Sequence, residues 1–297
     1  MSAGEGAAYW SDPAHHGWDE LWMNHPSVRA AINRRVTGDP RKWPIAWLRD
    51  LVPDRLPFAR AVSIGSGLGN FERTLVHLDI ARSITGVEES REMVRRSRQS
   101  ASEEGLGERI AYVAADAQEF LENARDCDAV FFHESLHHFA RPPETLGLVR
   151  RALRPRGVLY LDEYAGPSRD EWGWRDLLAW NAVYWRLPSV LRRTKIVRWP
   201  INRTDPTEAI ASSRILPGVA EHFRVLSRRD YGGNLLAPIY PSLRRPDQPG
   251  GPGAAEFDRA VESILAREDA LLRRRGGYYT VVVAEPKEIP SLSRSRG

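Results

Sequence analysis

Ala61-Val-Ser-Ile-Gly-Ser-Gly-Leu-Gly-Asn-Phe-Glu72 decides how the rest of this 297-residue chain is read. Its first four residues form a short apolar run fit for a buried parallel strand. Gly65, Gly67 and Gly69 break that run, and Phe71, Leu75 and Leu78 come after it at helical spacing. A strand, a glycine turn and a helix start make a cradle for a nucleotide-like ligand. The glycines let backbone approach the ligand, and the helix start offers unpaired N–H groups. Many dinucleotide-binding proteins carry a relative of this motif, so the residues beyond Glu72 must narrow the choice.

A second run, Ile84-Thr-Gly-Val87, ends in Glu88, about 20 residues past the first glycines, where an acid meets ribose hydroxyls. A third, Ile110 to Ala115, ends in Asp116-Ala117. A fourth, Asp128 to Phe132, is followed by His133-Glu-Ser-Leu-His-His-Phe139. A helix then leads through Leu153-Arg-Pro-Arg-Gly157 into a fifth run, Val158 to Asp162, and the mostly polar Arg91 to Glu104 reads as an outer helix. Alternation of this kind predicts a parallel sheet covered on both faces.

This ordered set resembles the class I S-adenosylmethionine (SAM) dependent methyltransferases, closely over residues 59–165 and more loosely towards the C-terminus. It departs from the dinucleotide fingerprint, because Asn70 stands where a third glycine is expected, and Asp116-Ala117 also speaks against an NAD enzyme. The resemblance implies an α/β, Rossmann-like fold with a seven-stranded, mostly parallel sheet and helices on both faces. It implies SAM as cofactor, with the methionine end on Ile64, Gly65, Ser66, Gly67 and Gly69. It sets Glu88 on the ribose with Glu89 beside it, Asp116 and Ala117 on the adenine, and His133 and Glu134 at the pocket. Competing structural readings are a plain tight turn for the glycines, a solvated acid for Glu88 and a helix N-cap for Asp116.

Methyl transfer is an in-line displacement at a carbon activated by a sulfonium, so the protein aligns the acceptor and, where needed, removes its proton. His137 and His138 come after the fourth strand and have an ordinary pKa near ~6.5, suited to that task; their alternative is support of the loop or the cofactor pocket. Glu163 and Tyr164, at the mouth of the fifth strand, are the other acceptor-facing candidates. Family members that methylate amines of nucleic-acid bases usually carry an Asn/Asp-Pro-Pro-aromatic motif after the fourth strand. Here His133-Glu-Ser-Leu136 stands there, and Pro142-Pro143 comes too late, so DNA base methylation is disfavoured.

Composition agrees. Net charge is +4, and the pI of about 9.4 reflects arginine, with lysine only at Lys42, Lys195 and Lys287. Arg150-Arg151, Arg192-Arg193 and Arg273 to Arg275 are short clusters with acids nearby, which reads as solvated helix faces and not a nucleic-acid track. Cys127 is the only cysteine, so neither an intramolecular disulfide nor a cysteine-rich metal site can form. It reads as a buried filler. No apolar stretch reaches the ~18 residues of a membrane span, and Met1 to Ala8 lacks signal-peptide character, so a cytoplasmic protein is expected. His15-His16 side chains point apart without a well-spaced acidic partner, and no metal is expected.

Outside the alternating core, residues 1–58 read as an aromatic N-terminal cap, with helices over Ser27 to Val36 and Pro44 to Leu51. Glu163 to Ser168 reads as a loop leaving the sheet edge. Residues 166–208 read as an insert with a helix from Trp172 to Leu187. Ala209 to His222 is expected to be a helix, Phe223 to Ser227 the sixth strand, Arg244 to Ala254 a loop, Glu256 to Arg275 a helix and Tyr278 to Ala284 the last strand. The main domain is thus 59–286, with a disordered tail over 287–297. All ten tryptophans lie before residue 48 or between 172 and 199. Trp18, Trp22, Trp172 and Trp174 are therefore the expected walls of an acceptor pocket. The function expected is methylation of a small-molecule acceptor, a natural-product or cell-surface precursor. The rivals are a non-methylating SAM enzyme such as a cyclase or decarboxylase, or a non-catalytic SAM binder. A homodimer is one option for the assembly; the sequence does not fix it.

Overall fold

The five apolar runs are strands in the computed structural model, which describes residues 21–200, 205–246 and 250–288. They are β1 (Ala61–Ile64), β2 (Ile84–Glu88), β3 (Ile110–Ala114), β4 (Cys127–His133) and β5 (Leu153–Tyr164). With β6 (Phe223–Gly232) and β7 (Tyr279–Pro286) they form one seven-stranded sheet of order β3-β2-β1-β4-β5-β7-β6. The pairs β1/β2, β1/β4, β2/β3 and β4/β5 are parallel; β7 runs antiparallel between β5 and β6. Alternate residues of the central strands enter two separate cores. Ala61, Phe131, Tyr160 and Val281 face one side, while Val62, Ile64, Val130, Phe132 and Leu159 face the other. This two-sided burial is why the strands read as continuous apolar runs.

Helix α1 (Pro26–Thr37) starts on a proline at its first turn and ends at Gly38, whose φ of 85° suits glycine. It buries Val28, Ile32 and Val36 at a spacing of four. The chain continues through α2 (Asn70–His77), α3 (Arg91–Glu103), α4 (Ala117–Asn123), α5 (Pro142–Ala152), α6 (Trp174–Tyr184), α7 (Ile215–His222) and α8 (Ala254–Arg275). Polar contacts fasten the N-terminal segment to the C-terminal one. Arg35 donates to Asp269 (2.8 Å) and to the Tyr231 carbonyl (2.7 Å), and His25 meets Asp258 at 3.0 Å.

Three expectations need correction. β6 runs on to Gly232 and does not stop at Ser227. The polar run Arg228-Arg229-Asp230 is tolerated because β6 is an edge strand and Asp230 is paired by Arg228 (2.8 Å) and Thr280 (2.8 Å). The helix expected from Ala209 begins only at Ile215: Ala209 has a φ of 50°, and the Ser212 hydroxyl is drawn to the Gly166 carbonyl (3.1 Å). Glu163 and Tyr164 are not in a loop at the sheet edge. They close β5, paired with Thr280 and Tyr279 of β7, because the last strand slots in beside them.

The strand order reverses between β1 and β4, so the crevice beyond their C-terminal ends is where an open α/β sheet binds its ligand. Gly65 to Gly69 leaves β1 at that point, and Glu134 to His138 leaves β4.

Candidate functional site

The glycine turn is held from beneath and open above. Gly65, Gly67 and Gly69 have φ values of 71°, 52° and 74°, conformations that side-chain-bearing residues rarely adopt. A Cβ on Gly65 would lie 2.6 Å from the Ser135 Cβ, and one on Gly69 2.3 Å from the Tyr112 hydroxyl; one on Gly67 would meet nothing within 4 Å. The outer two glycines therefore serve packing, and the middle one leaves room for a ligand. The Gly65 and Ser66 N–H groups bond the Val87 carbonyl (2.9 and 3.1 Å). Glu88 closes the cradle, accepting from Gly67 N–H (3.0 Å) and Ser90 N–H (2.9 Å). Burial raises the Glu88 carboxyl above its ordinary pKa, and those two bonds oppose the rise.

Asp116 caps α4, accepting from the N–H groups of Gln118 (2.8 Å) and Glu119 (2.9 Å) through one oxygen, Oδ1. Ala117 opens that helix, and the exposed Glu89 stands near Glu88 and Asp116. His133 stacks on Phe71 with ring centres 4.5 Å apart, and its Nε2 is 4.0 Å from Asp162. Glu134 has a left-handed φ of 52°, its N–H donates to the Asp162 carbonyl (2.8 Å), and burial raises its carboxyl. Ile64 is fully buried, and its carbonyl accepts from the Ser135 hydroxyl (2.7 Å), tying the two strand exits together.

The four candidates for acceptor chemistry separate here. Glu163 is 0% exposed and fully engaged: it accepts from Ser135 N–H (2.6 Å), Leu136 N–H (2.7 Å) and His137 Nδ1 (2.8 Å). It anchors the loop after β4 and does not face an acceptor. Tyr164 donates its hydroxyl to the Pro167 carbonyl (2.7 Å), and burial raises its pKa, so it is no base at neutral pH. Burial alone would lower His137, but the bond and charge of Glu163, with Glu208 and Glu134, push it up to about 9. Its Nε2 points towards Glu208, 3.9 Å away. His138, with its ring 4.2 Å from that of His137, is held well below the ordinary histidine value by burial and by the His137 charge. Its Nδ1 meets the Thr207 hydroxyl at 3.1 Å, and Thr207 in turn donates to Asp205 (2.6 Å). Two adjacent histidines thus have opposite protonation preferences, the pattern that separates a charged positioning group from a neutral base. No metal was expected from the sequence; His137, His138 and Glu208 nonetheless place ligand-capable atoms within 4.8 Å of one another.

Of the four tryptophans, Trp18 lies outside the described residues. Trp22 is buried with its ring edge-on to Tyr279 (5.3 Å), and Tyr279 meets Tyr164 (5.2 Å) and Tyr231 (5.8 Å). Trp172 packs edge-on to Trp180 (5.0 Å) and Tyr278 (5.5 Å). Trp174 is not brought to this wall. It opens α6 and is 64% exposed, with the Arg175 guanidinium over its ring, because helical spacing turns Trp180 and Tyr184 inward instead.

Sequence reading missed several participants. Asp162 accepts from the Tyr231 hydroxyl (2.7 Å), and Asp205, Thr207 and Glu208 come from the end of the insert. No local pattern marks these, since they meet the histidines only through the fold. Glu72 had a signal: it precedes Leu75 and Val76 by three and four residues, which sets an acid on the buried face of α2.

Residues 62–161 match the family described as methyltransferase domain. A curated relative, 27-O-demethylrifamycin SV methyltransferase of Amycolatopsis mediterranei, is 26% identical over 158 residues, 52% of each chain; this chain thus spans about half the length of that relative. Two solved structures share the fold at a TM-score of 0.50. One is the Haloferax volcanii complex between the Trm112 methyltransferase activator and the putative methyltransferase (16% identity, 97% of this chain and 100% of that one). The other is MccD protein (12% identity, 82% and 96%). Strand order, glycine cradle and these matches define a Rossmann-like α/β fold with a seven-stranded, mostly parallel sheet. Over residues 62–161 the chain is similar to methyltransferase domains, the class that its strand order and glycine cradle resemble. Among the described residues no helix is long and apolar enough to cross a membrane.

Proposed function

We propose that this chain binds SAM and methylates a small-molecule acceptor, a natural-product or cell-surface precursor, as a cytoplasmic enzyme without a nucleic-acid or membrane partner. The observation that carries the reading is the open side of Gly67, held by Glu88 at the strand-order reversal and next to the exit of β4. The residues present fit the cofactor: Gly67 leaves space, Glu88 offers a carboxylate to ribose hydroxyls, and Asp116 and Ala117 border the adenine. The relative that methylates 27-O-demethylrifamycin SV supports an acceptor of metabolite size.

When bound, SAM supplies a methyl group on a sulfonium, open to in-line displacement. The protein's own part is alignment and proton removal. His138, the neutral histidine, takes the acceptor proton. Glu163 and the charged His137 fix the loop that carries it. Trp22, Tyr231 and Tyr279 form an apolar wall that keeps water away from the reacting groups.

Calorimetry with S-adenosylhomocysteine and NAD tests the cofactor, and product mass after incubation with SAM and candidate metabolites tests the chemistry. Tight binding of S-adenosylhomocysteine, no binding of NAD and a product heavier by one methyl are expected. A product isomeric with its substrate would reassign the enzyme to a cyclase, and binding without turnover of any acceptor to a binding protein.

A further inference from the structure

We propose that Glu72 is the receptor for the ammonium group at the amino-acid end of bound SAM, reached directly or through one water; this rests on the proposed binding of SAM. Glu72 is 0% exposed, and neither carboxylate oxygen has a hydrogen-bond partner. A wholly buried carboxylate without partners is rare in folded proteins, because the lost hydration is not replaced. The turn itself holds a second orphan, the Ser66 hydroxyl, which is buried and partnerless.

The surroundings select the kind of ligand. Glu72 lies in the first turn of α2, three residues past Gly69, so it sits behind the cradle. Ser63 of β1, His133 at the exit of β4 and Tyr112 of β3 are its polar neighbours, and Arg73 comes next on its own helix. Ser63 is the neighbour that most favours the ionised carboxylate, yet neither oxygen receives a bond of normal hydrogen-bond geometry, and among the described residues no cation is paired with it. An anion is excluded by charge. A metal ion is poorly served, since among the described residues the one grouping with ligand spacing is His137, His138 and Glu208. An ammonium group, with three donors and one positive charge, supplies both missing bonds and the missing counter-charge. The nucleoside end is already provided for by Glu88 and Asp116, which leaves the amino-acid end for this part of the cradle.

Burial pushes the Glu72 carboxyl up to about 7, with the Ser63 hydroxyl, then His133 and Arg73, opposing. In the free protein it is therefore partly protonated near neutral pH. A cation beside it holds it ionised, so its proton leaves to solvent on binding.

The test compares two ligands that differ only at the end in question. S-adenosylhomocysteine carries the amino acid; 5′-methylthioadenosine has the same nucleoside and thioether without it. In wild type, S-adenosylhomocysteine should bind more tightly, and calorimetry in buffers of different ionisation enthalpy at about pH 7 should show proton release. Glu72→Gln, which keeps the shape, should weaken S-adenosylhomocysteine by about 10- to 100-fold, the size of one charge-assisted bond, and abolish proton release. It should leave 5′-methylthioadenosine within about twofold of wild type. Equal weakening of both ligands, or no weakening of S-adenosylhomocysteine, overturns the assignment of Glu72. Failure of wild type to bind either ligand overturns the SAM reading itself, and the proposal falls with it.

Discussion

Replacing Glu163 with glutamine tests the centre of the site through a property that simple loss of packing does not mimic. Glutamine keeps the shape and one carbonyl oxygen for the Ser135 and Leu136 N–H groups, which Glu163 holds at 2.6 and 2.7 Å. It removes the charge that faces the His137 ring at 2.8 Å. His137 rises from 6.5 to about 9 in the fold. Each unit is ~1.4 kcal/mol, so the native state gains about 3–4 kcal/mol where His137 is charged in both states. At pH 7, where the unfolded histidine has already lost most of its charge, the larger part of that remains. Glu163 leads the groups that raise His137, and burial of the ring opposes them, so removing Glu163 should cost about 2 kcal/mol or more at pH 7. The folded pKa lies above the unfolded one, so this contribution is complete below about pH 6.5 and is lost as pH rises through about 9. Urea denaturation of wild type and Glu163→Gln across this range should show a stability gap near 2 kcal/mol at pH 7 that closes by about pH 10. A gap that stays constant, or widens with pH, would refute the picture of His137 as an ion held by Glu163.

The same geometry sets other outcomes. His138→Ala should lower kcat by roughly 10²–10⁴ while S-adenosylhomocysteine affinity, read by calorimetry, stays within about threefold; lost cofactor binding would make His138 structural instead. Glu88→Ala removes the partner of Gly67 and Ser90 as well as the ribose acid, so the S-adenosylhomocysteine Kd should rise by about 10- to 100-fold, and Gly67→Val should abolish binding by filling the open side of the turn. Because charged His137 gives its Nδ1–H to Glu163 and turns a protonated Nε2 towards Glu208, EDTA should leave turnover unchanged; loss restored by a divalent ion would mean that His137, His138 and Glu208 share a metal. Trp22→Ala should raise the acceptor KM, whereas the exposed Trp174→Ala should leave it unaltered; equal effects would remove Trp22 from the wall.

The sequence alone determined the alternation, the glycine turn and the acids that end β2 and β3. Buried parallel strands must be apolar throughout, a left-handed turn demands glycine, and both marks are local. Strand order at the C-terminal end was not readable, because β7 enters between β5 and β6 through pairing across long sequence distances. That insertion is also what keeps Glu163 and Tyr164 within the sheet. The roles of the histidines were decided by tertiary structure for the same reason. His137 and His138 are neighbours of one residue type, and nothing local separates them. Glu163 from β5 and Glu208 from the insert charge the first, whereas burial beside that charge keeps the second neutral. Trp174 and Trp180 differ likewise only in the face of α6 that each occupies once the helix docks, and an orphan such as Glu72 becomes visible only when every possible partner has a position.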